Sequence, residues 1–286
     1  MEEKNKVLPK TLYLVGTPIG NLSDISERAK KVLSEVSFIA AEDTRNSAKL
    51  LMALGIRAEL ISYHEHNRRA AGEKIIERLL RGESCALVTD AGMPAISDPG
   101  EDLVRDCADA GITVSVVPGP CAAVSALALC ALPTKRFCFE GFLSAVSGER
   151  KKRLLSLQHE ERTMIFYEAP HKLCKTLSDM KEYFGDDRNI ALCRELTKIN
   201  EEVERLTLGA AVDAYSKKEP RGEYVLIVEG FSGKAEDEKT AELCALTPEA
   251  HVAHYEVAGF KKMDAIKMAA KDRGISKSEL YKLVNT

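Results

Sequence analysis

The first half of the chain alternates between short apolar runs and stretches in which apolar residues recur at helical spacing. Residues 12–15 form such a run and predict a buried strand, and Asp24 and Glu27 form a capping-box pattern that predicts the start of a helix. The same alternation predicts strands at 37–41, 58–63, 86–89 and 113–117 and helices at 47–54, 71–80, 101–110 and 121–132. This alternation is typical of a mainly parallel sheet with helices on both faces.

A second set of elements begins after the polar break at 133–135. Strands are predicted at 136–142, 163–167, 190–194 and 224–228, helices at 148–159 and 171–184, and further regular structure at 201–215. Polar residues at 232–240 predict an exposed linker, and helices follow at 263–272 and 276–284, the last with a capping box of Ser276 and Glu279. We therefore predict an α/β protein with α/β domains at 1–133 and 134–231 and a small basic helical region at 240–286.

Composition narrows the class of protein. With 286 residues, 45% hydrophobic and 30% charged, the chain can fill the cores of two domains, which excludes global disorder. Its eight cysteines show no CxxC pair and no histidine at ligand spacing, so we expect neither a metal site nor disulfides. We see no signal peptide and no apolar stretch of roughly 20 residues, which predicts a cytoplasmic protein without a membrane segment. The net charge of −3 requires any contact with nucleic acid to be local.

Three loops rich in glycine and proline follow predicted strands, at 16–21, 90–100 and 118–120. In an open parallel sheet, ligands bind beyond the carboxyl ends of the strands, so we expect these loops to line one cleft. None of them matches a phosphate-binding GxxxxGK[ST] or GxGxxG motif. Any one of these turns alone is more often structural than functional, but the density of proline, glycine and aspartate at 90–100 favours a functional loop.

The segments LYLVGTPIGNLSDIS, AAEDTRNSAKLL, SYHEHN, LVTDAGMPAISDPG, VVPGP, FYEAPHK, RELTKINEE and RGEYVLIVEG lie between residues 12 and 230. In these segments the chain resembles the ribosomal RNA small subunit methyltransferase I family of the tetrapyrrole methylase superfamily. The resemblance implies two α/β domains with S-adenosyl-L-methionine bound between them. It also implies methylation of the ribose 2′-hydroxyl of a cytidine in small-subunit rRNA, as free rRNA or in the assembled subunit, by a homodimer.

The resemblance also implies which residues contact the cofactor. They lie in the loops after the first-domain strands, at the start of the helix that follows 118–120, and in three second-domain segments: Asp90, Gly92, Pro94, Ile96, Ser97, Pro118, Gly119, Ala122, Ser125, Ala126, Phe166, Tyr167, Leu196, Thr197, Gly222 and Glu223. The loop at 17–21 is expected to border the substrate.

Candidates for the chemistry follow the second and third strands. A ribose hydroxyl needs a general base or strict orientation toward the methyl group. We predict that the side chains after these two strands converge at one edge of the sheet: Glu42, Asp43 and Arg45 after the second strand and His64 after the third. Lys198 would face the same cleft. Together they offer a base, charge balance and a phosphate anchor. For each residue a structural ion pair or helix cap is the alternative, and His171 is interpreted first as a cap or packing residue.

Two basic clusters favour a surface that follows RNA phosphates: residues 150–153 and the seven lysines and arginines of 257–286. A solvated basic face is the alternative for each. Two other functions stay open at this point. One is a methyltransferase of the same superfamily that acts on a tetrapyrrole-like small molecule, and the other is a non-catalytic RNA-binding protein.

Overall fold

A computed structural model describes residues 6–233 and 242–284. The chain divides into two compact units, one ending at Gly230 and one beginning at Phe231. The first contains two five-stranded sheets with their helices, and the second contains helices. The predicted α/β class is confirmed, whereas the predicted boundary between the two α/β domains at 133–134 stays a prediction.

The first sheet is entirely parallel, with strand order β3-β2-β4-β1-β5. Its strands are β1 (Thr11–Val15), β2 (Phe38–Ala41), β3 (Leu60–Ser62), β4 (Ser84–Val88) and β5 (Thr113–Val117). Its helices are α1 (Glu27–Glu35), α2 (Thr44–Ala53), α3 (Arg68–Leu80), α4 (Glu101–Asp109) and α5 (Ala122–Leu129). The central strands β2 and β4 are buried along their whole length, which explains their uninterrupted apolar runs.

The predicted helix start at Asp24 is wrong by two residues. Asp24 ends a short 3₁₀ turn (Leu22–Asp24), and the cap of α1 is Ser26, whose hydroxyl accepts a hydrogen bond from the Ala29 amide at 3.1 Å. The predicted apolar face is confirmed, because Ala29, Val32 and Leu33 are buried against the sheet. Ser26 caps well because its hydroxyl satisfies an otherwise unpaired amide of the first turn.

The second sheet is mixed, with strand order β6-β7-β10-β8-β9. Its strands are β6 (Phe137–Phe142), β7 (Thr163–Glu168), β8 (Asn189–Arg194), β9 (Glu202–Thr207) and β10 (Tyr224–Val228), and its helices are α6 (Ser147–Ser156), α7 (Pro170–Phe184) and α8 (Leu208–Tyr215). Only β6 and β7 pair in parallel; β10 runs antiparallel to both of its neighbours, and β9 to β8. One face of this sheet packs on α6–α8, and the other packs on α5.

The predicted basic surface at 150–153 is wrong for Arg150, which is buried, and stays a prediction for the other three residues. Arg150 is 3% exposed, and its Nε donates to Asp179 Oδ2 at 2.7 Å. Lys151 pairs with Glu182, and Arg153 pairs with Glu140. These ion pairs tie α6 to α7 and β6.

The second unit contains helices α9 (Pro248–Val257), α10 (Lys262–Asp272) and α11 (Lys277–Val284), packed around Val252, Ile266 and Leu280. The two predicted helices are confirmed as α10 and α11, while α9 was not predicted. At the start of α11, the Ser276 hydroxyl accepts from the Glu279 amide at 3.2 Å, as the predicted capping box requires. Most of the predicted linker at 232–240 lies outside the described residues. None of the described helices is long and apolar enough to cross a membrane.

Candidate active site between the two sheets

A cleft of about 570 Å³ opens between the two sheets of the first unit. One wall is formed by residues that follow the carboxyl ends of β1, β2, β4 and β5, and the other by residues of β6, β7, β8 and β10 and the loops beside them. Apolar side chains on both walls include Ile19, Ile96, Phe142, Leu196 and Val225. The volume lies in the range of small-molecule sites, so the cleft can enclose a ligand of cofactor size.

Short contacts between loops fix the first wall. Thr17 and Gly92 exchange backbone hydrogen bonds of 2.9 and 3.1 Å, and these bonds join the first loop to the loop at 90–100. Gly16 and Gly119 pack directly together, so that a Cβ atom on Gly119 would lie 2.8 Å from the Gly16 Cα. The backbone therefore approaches itself at a point where only glycine fits on both sides.

The loop at 90–100 also carries unusual backbone angles. Ala95 and Ser97 have positive φ of 66° and 61°, a region that residues with a side chain rarely adopt. A Cβ atom on Gly100 would lie 2.8 Å from Leu87, and one on Gly141 of β6 would lie 3.1 Å from Ser97 Oγ. The loop is thus held between β4 and the second sheet. Strained residues persist only where the surroundings determine the conformation, and they cluster at functional sites.

The second wall is held by Tyr167 and by an ion-pair cluster of Lys198, Glu195 and Glu223 at the edge of the cleft. The Tyr167 hydroxyl accepts a hydrogen bond from the Ala123 amide at the start of α5 at 3.2 Å, and Phe142 packs on its ring at 5.4 Å between centroids. Lys198 Nζ donates to Glu195 Oε1 at 2.9 Å and to Glu223 Oε2 at 2.8 Å. These contacts hold both walls in place before any ligand binds.

The polar groups of the cleft are mainly acidic. Among the described residues that line it, five are carboxylates (Glu42, Asp90, Asp98, Glu168 and Glu223), none is lysine or arginine, and His171 is the remaining titratable base. Such a lining favours a cationic ligand and disfavours an anionic one, because like charges repel strongly in a partly desolvated site. In the described part of the chain, no three metal-binding side chains come close enough to hold a metal ion.

The carboxyl group of Asp98 has a raised pKa. Burial, and next the negative charge of Glu42, raise the pKa of Asp98 to about 6, against a smaller opposing effect of its hydrogen bond with Thr89. The Thr89 hydroxyl also donates to Glu42 Oε2 at 2.7 Å. Two carboxylates and one hydroxyl, from the ends of β2 and β4 and from the loop at 90–100, therefore form one small polar cluster.

The structure brings half of the predicted cofactor residues to the cleft. Those that line it are Asp90, Gly92, Ile96, Ser97, Ala122, Tyr167, Leu196 and Glu223. The others do not line it: Pro94, Pro118, Gly119, Ser125, Ala126, Phe166, Thr197 and Gly222. Their positions explain why. Phe166 points to the opposite face of its sheet, and Ala126 is buried where α5 packs on the second sheet, so only their backbones could approach a ligand.

Of the five predicted catalytic residues, Glu42 alone lines the cleft. Asp43 is the cap of α2 and pairs with the exposed Arg45 at 2.7 Å; this partner lowers the pKa of Asp43 to about 2, which makes it a weak base. Lys198 loses some basicity by burial, but its bonds to Glu223 and Glu195 raise its pKa, so it stays a cation. His64 packs edge-on against His66 and does not line the cleft.

Asp98 and His171 are among the lining residues of the cleft that were not predicted as site residues. Asp98 belongs to the loop that the sequence singles out, but nothing in the sequence shows that it lies beside Glu42. His171 was interpreted as a cap or packing residue, yet it lies at the start of α7 and lines the cleft. The preceding Pro170 at the first helical turn was the signal that placed it at a helix N-terminus above a strand end.

Comparison with known proteins identifies relatives that are named as methyltransferases. The family model of the Tetrapyrrole (Corrin/Porphyrin) Methylases matches residues 11–212. Proteins named Ribosomal RNA small subunit methyltransferase I from Halalkalibacterium halodurans and Bacillus subtilis are each 47% identical to this chain. The first alignment covers 96% of this chain and 94% of the relative, and the second covers 94% and 92%.

Solved structures agree in fold. A uroporphyrin-III-C-methyltransferase from Thermus thermophilus matches with a TM-score of 0.55 at 20% identity, over 80% of this chain and 98% of the other. A diphthine synthase matches with a TM-score of 0.59 at 14% identity, over 77% and 90%. The family match, the close relatives and the shared fold together show that this chain belongs to the tetrapyrrole methylase family, among the ribosomal RNA small subunit methyltransferase I proteins.

Proposed function

We propose that this protein transfers a methyl group from S-adenosyl-L-methionine to the ribose 2′-hydroxyl of a cytidine in small-subunit rRNA. The observation that carries the proposal is an acidic cleft with apolar walls in a chain 47% identical, over nearly its whole length, to relatives whose names state methylation of small-subunit rRNA. The ribose position and the cytidine rest on the resemblance in sequence.

The residues of the cleft fit the chemistry of this cofactor. S-adenosyl-L-methionine carries an ammonium and a sulfonium against one carboxylate, and it supplies an electrophilic methyl group when bound. The acidic lining suits that net positive charge, and side chains such as Ile96, Phe142 and Leu196 suit the flat apolar faces of an adenine. Asp90 and Glu223, on opposite walls, are the carboxylates we expect to hold its polar groups.

The chain's own residues supply orientation and exclude water. The loops joined at Thr17 and Gly92 and the aromatic wall of Phe142 and Tyr167 are held by contacts within the protein, so little ordering is needed when ligands bind. Such preorganisation makes alignment effective, and alignment alone is worth roughly 7–11 kcal/mol of the barrier. The 47% identity to relatives named for methylation of small-subunit rRNA favours RNA over the tetrapyrrole-like substrate that the small-molecule alternative would require.

The remaining parts of the proposal concern partners. The resemblance favours a homodimer that acts on free rRNA or on the assembled small subunit in the cytoplasm. Lys267 and Lys271 of α10 and Lys277 of α11 are exposed in the second unit, and we propose that they contact RNA phosphates, which would give an RNA affinity that falls with salt.

Calorimetry with S-adenosyl-L-methionine tests the cofactor part. Asp90 is exposed and its carboxylate accepts a hydrogen bond from Asn46 at 2.9 Å, so Asp90→Ala removes charge without emptying a core. We expect its affinity to fall about 10- to 100-fold, the size of one lost charge-assisted hydrogen bond. Asp109→Ala, at the exposed end of α4, is the control and should bind like the unaltered protein. Equal affinities for all three proteins would contradict the site.

A further inference from the structure

One histidine of the second unit is completely buried. His251 on α9 is 0% exposed, in a bundle whose core contains Val252, Ile266 and Leu280. A buried histidine needs partners for its ring nitrogens, because an unpaired polar group away from water costs free energy. The contacts of these two nitrogens therefore decide what His251 does in the bundle.

Both ring nitrogens have partners at the end of α10. Arg273 Nε donates to His251 Nδ1 at 3.1 Å, and His251 Nε2 lies 3.2 Å from Asp272 Oδ2. Because an arginine can only donate, Nδ1 carries no proton, and the single proton of the neutral ring is on Nε2 and points to Asp272. The contacts thus select one tautomer of an uncharged imidazole.

Asp272 and Arg273 also bind other parts of the second unit. Asp272 Oδ2 accepts a hydrogen bond from the Tyr255 hydroxyl at 2.6 Å, and the Tyr255 ring stacks on His251 at 5.7 Å between centroids. The Arg273 guanidinium donates to the carbonyl oxygen of Leu246, in the segment before α9. His251 is therefore the centre of a network that joins α9 and the segment before it to the end of α10.

The network lies next to the turn that leads into α11. Arg273 is the C-cap of α10, and only residues 274–276 separate it from α11. Among the described residues of α11, Leu280 alone is buried, so few contacts of its own fix this helix. The direction in which α11 leaves α10 thus depends on where Arg273 is held. These two helices carry the three lysines that are proposed to contact RNA.

We propose that His251 is a positioning residue for RNA binding: its neutral ring fixes α10 and the turn to α11, and a proton on Nδ1 releases them and lowers the affinity for rRNA. This inference rests on the proposed function, in which the lysines of α10 and α11 contact the RNA. A ring that takes a proton from water carries a hydrogen on Nδ1. It then no longer accepts from Arg273, and two cations lie side by side.

The groups around the ring oppose its protonation on balance. Burial lowers the pKa of His251 below its ordinary value of 6.5, the hydrogen bond with Asp272 raises it, and the charges of Arg273 and His254 lower it further. Tyr255 stays neutral, because its hydrogen bond to Asp272 raises its pKa to about 12. The unfolded chain therefore takes up a proton at His251 first as pH falls below 6.5, and the folded bundle loses stability there.

Filter binding of the full-length protein to labelled small-subunit rRNA tests this role across a range of about pH 5.5 to 7.5. For the unaltered protein we expect the affinity to fall at least about 3-fold toward the acid end, since one linked proton allows at most about 10-fold per pH unit. His251→Gln retains an amide that donates and accepts but does not titrate. It should bind within about 3-fold of the unaltered protein at neutral pH and lose the fall. His254→Gln, at an exposed position of the same helix, is the matched control and should keep the fall.

Nitrogen-15 NMR of the full-length protein observes the ring itself. At neutral pH we expect an unprotonated Nδ1 and a protonated Nε2 for His251. A proton on Nδ1 at this pH would overturn the inference, and so would an RNA affinity that stays constant or rises on acidification, or a fall that persists in His251→Gln. If His251→Gln does not fold, the NMR result and the pH profile of the unaltered protein decide.

The lysines separate this inference from the proposed function. A double variant with Lys267→Ala and Lys271→Ala should weaken RNA binding at every pH and reduce its dependence on salt. If this double variant binds RNA like the unaltered protein, the proposed RNA contact is contradicted. If it binds more weakly while the pH profile of the unaltered protein is flat, the RNA contact stands and the role of His251 is wrong.

Discussion

At the scale of single residues, the partly buried carboxylate of Asp98 costs the folded protein stability at neutral pH. Its carboxylate is half-buried beside Glu42, and burial and that charge raise its pKa to about 6. The folded protein therefore binds a proton at Asp98 more tightly than the unfolded chain does, where the pKa is near 3.8. As pH rises from about 4 to above 6, this difference destabilises the folded state.

Asp98→Asn should consequently stabilise the protein at neutral pH. We expect the free energy of unfolding to rise by about 1–3 kcal/mol at pH 8, since raising the pKa of Asp98 from 3.8 to about 6 corresponds to at most about 3 kcal/mol. At pH 3 the two proteins should be equally stable, because Asp98 is then protonated in both states. Urea denaturation of both proteins between pH 3 and pH 8 measures the difference in their free energies of unfolding. A loss of stability that is the same at every pH would show that Asp98 is only a packing residue.

At the scale of elements, the cleft depends on how closely the loops after β1 and β5 pack. Gly16 and Gly119 touch through their backbones, so Gly119→Ala forces a methyl group to within 2.8 Å of the Gly16 Cα. We expect this variant to lose about 1–3 kcal/mol of stability, as overpacked cores do. Gly148→Ala is the matched control in α6: a Cβ there meets nothing within 4 Å, and it should gain about 0.5–1 kcal/mol. Thermal unfolding compares the stability of the two variants. If Gly119→Ala and Gly148→Ala change the stability equally, the close approach of Gly16 and Gly119 is refuted.

Elements with a strong apolar pattern could be predicted from the sequence. β5 and β10 begin and end where the sequence predicts, because each is a run of apolar residues bounded by turn formers. β9 and α8 could not be separated, since β9 is an edge strand whose residues are only half-buried or exposed and show no apolar run. Helix α9 was missed although Thr247 caps it and Pro248 occupies its first position, two signals that its weak apolar face obscured.

The site was less predictable than the elements for a physical reason. The carboxyl ends of parallel strands meet at one edge, so strand assignments alone bring Glu42 and Asp90 to the same cleft. Which side chain there is buried, paired or free depends on tertiary contacts. Asp43 and Arg45 follow the same strand as Glu42, but they pair at the surface as a helix cap, and Asp98 gains its raised pKa from residues distant in sequence.

At the scale of the whole molecule, the two sheets of the first unit together form the walls of one cleft. The parallel sheet supplies loops at strand ends, and the mixed sheet supplies the opposite wall from four of its strands and their loops. Because the walls join through contacts such as Tyr167 with Ala123, a ligand between them is enclosed by both sheets. The second unit is a separate bundle with its own core.

The most direct measurement of the central claim is mass spectrometry of nucleosides from small-subunit rRNA, in cells with the gene, without it, and with an Asp90→Ala copy. We predict that one 2′-O-methylated cytidine disappears without the gene, returns with the unaltered gene and does not return with the variant. An rRNA whose methylated nucleosides are identical in all three strains would contradict the account.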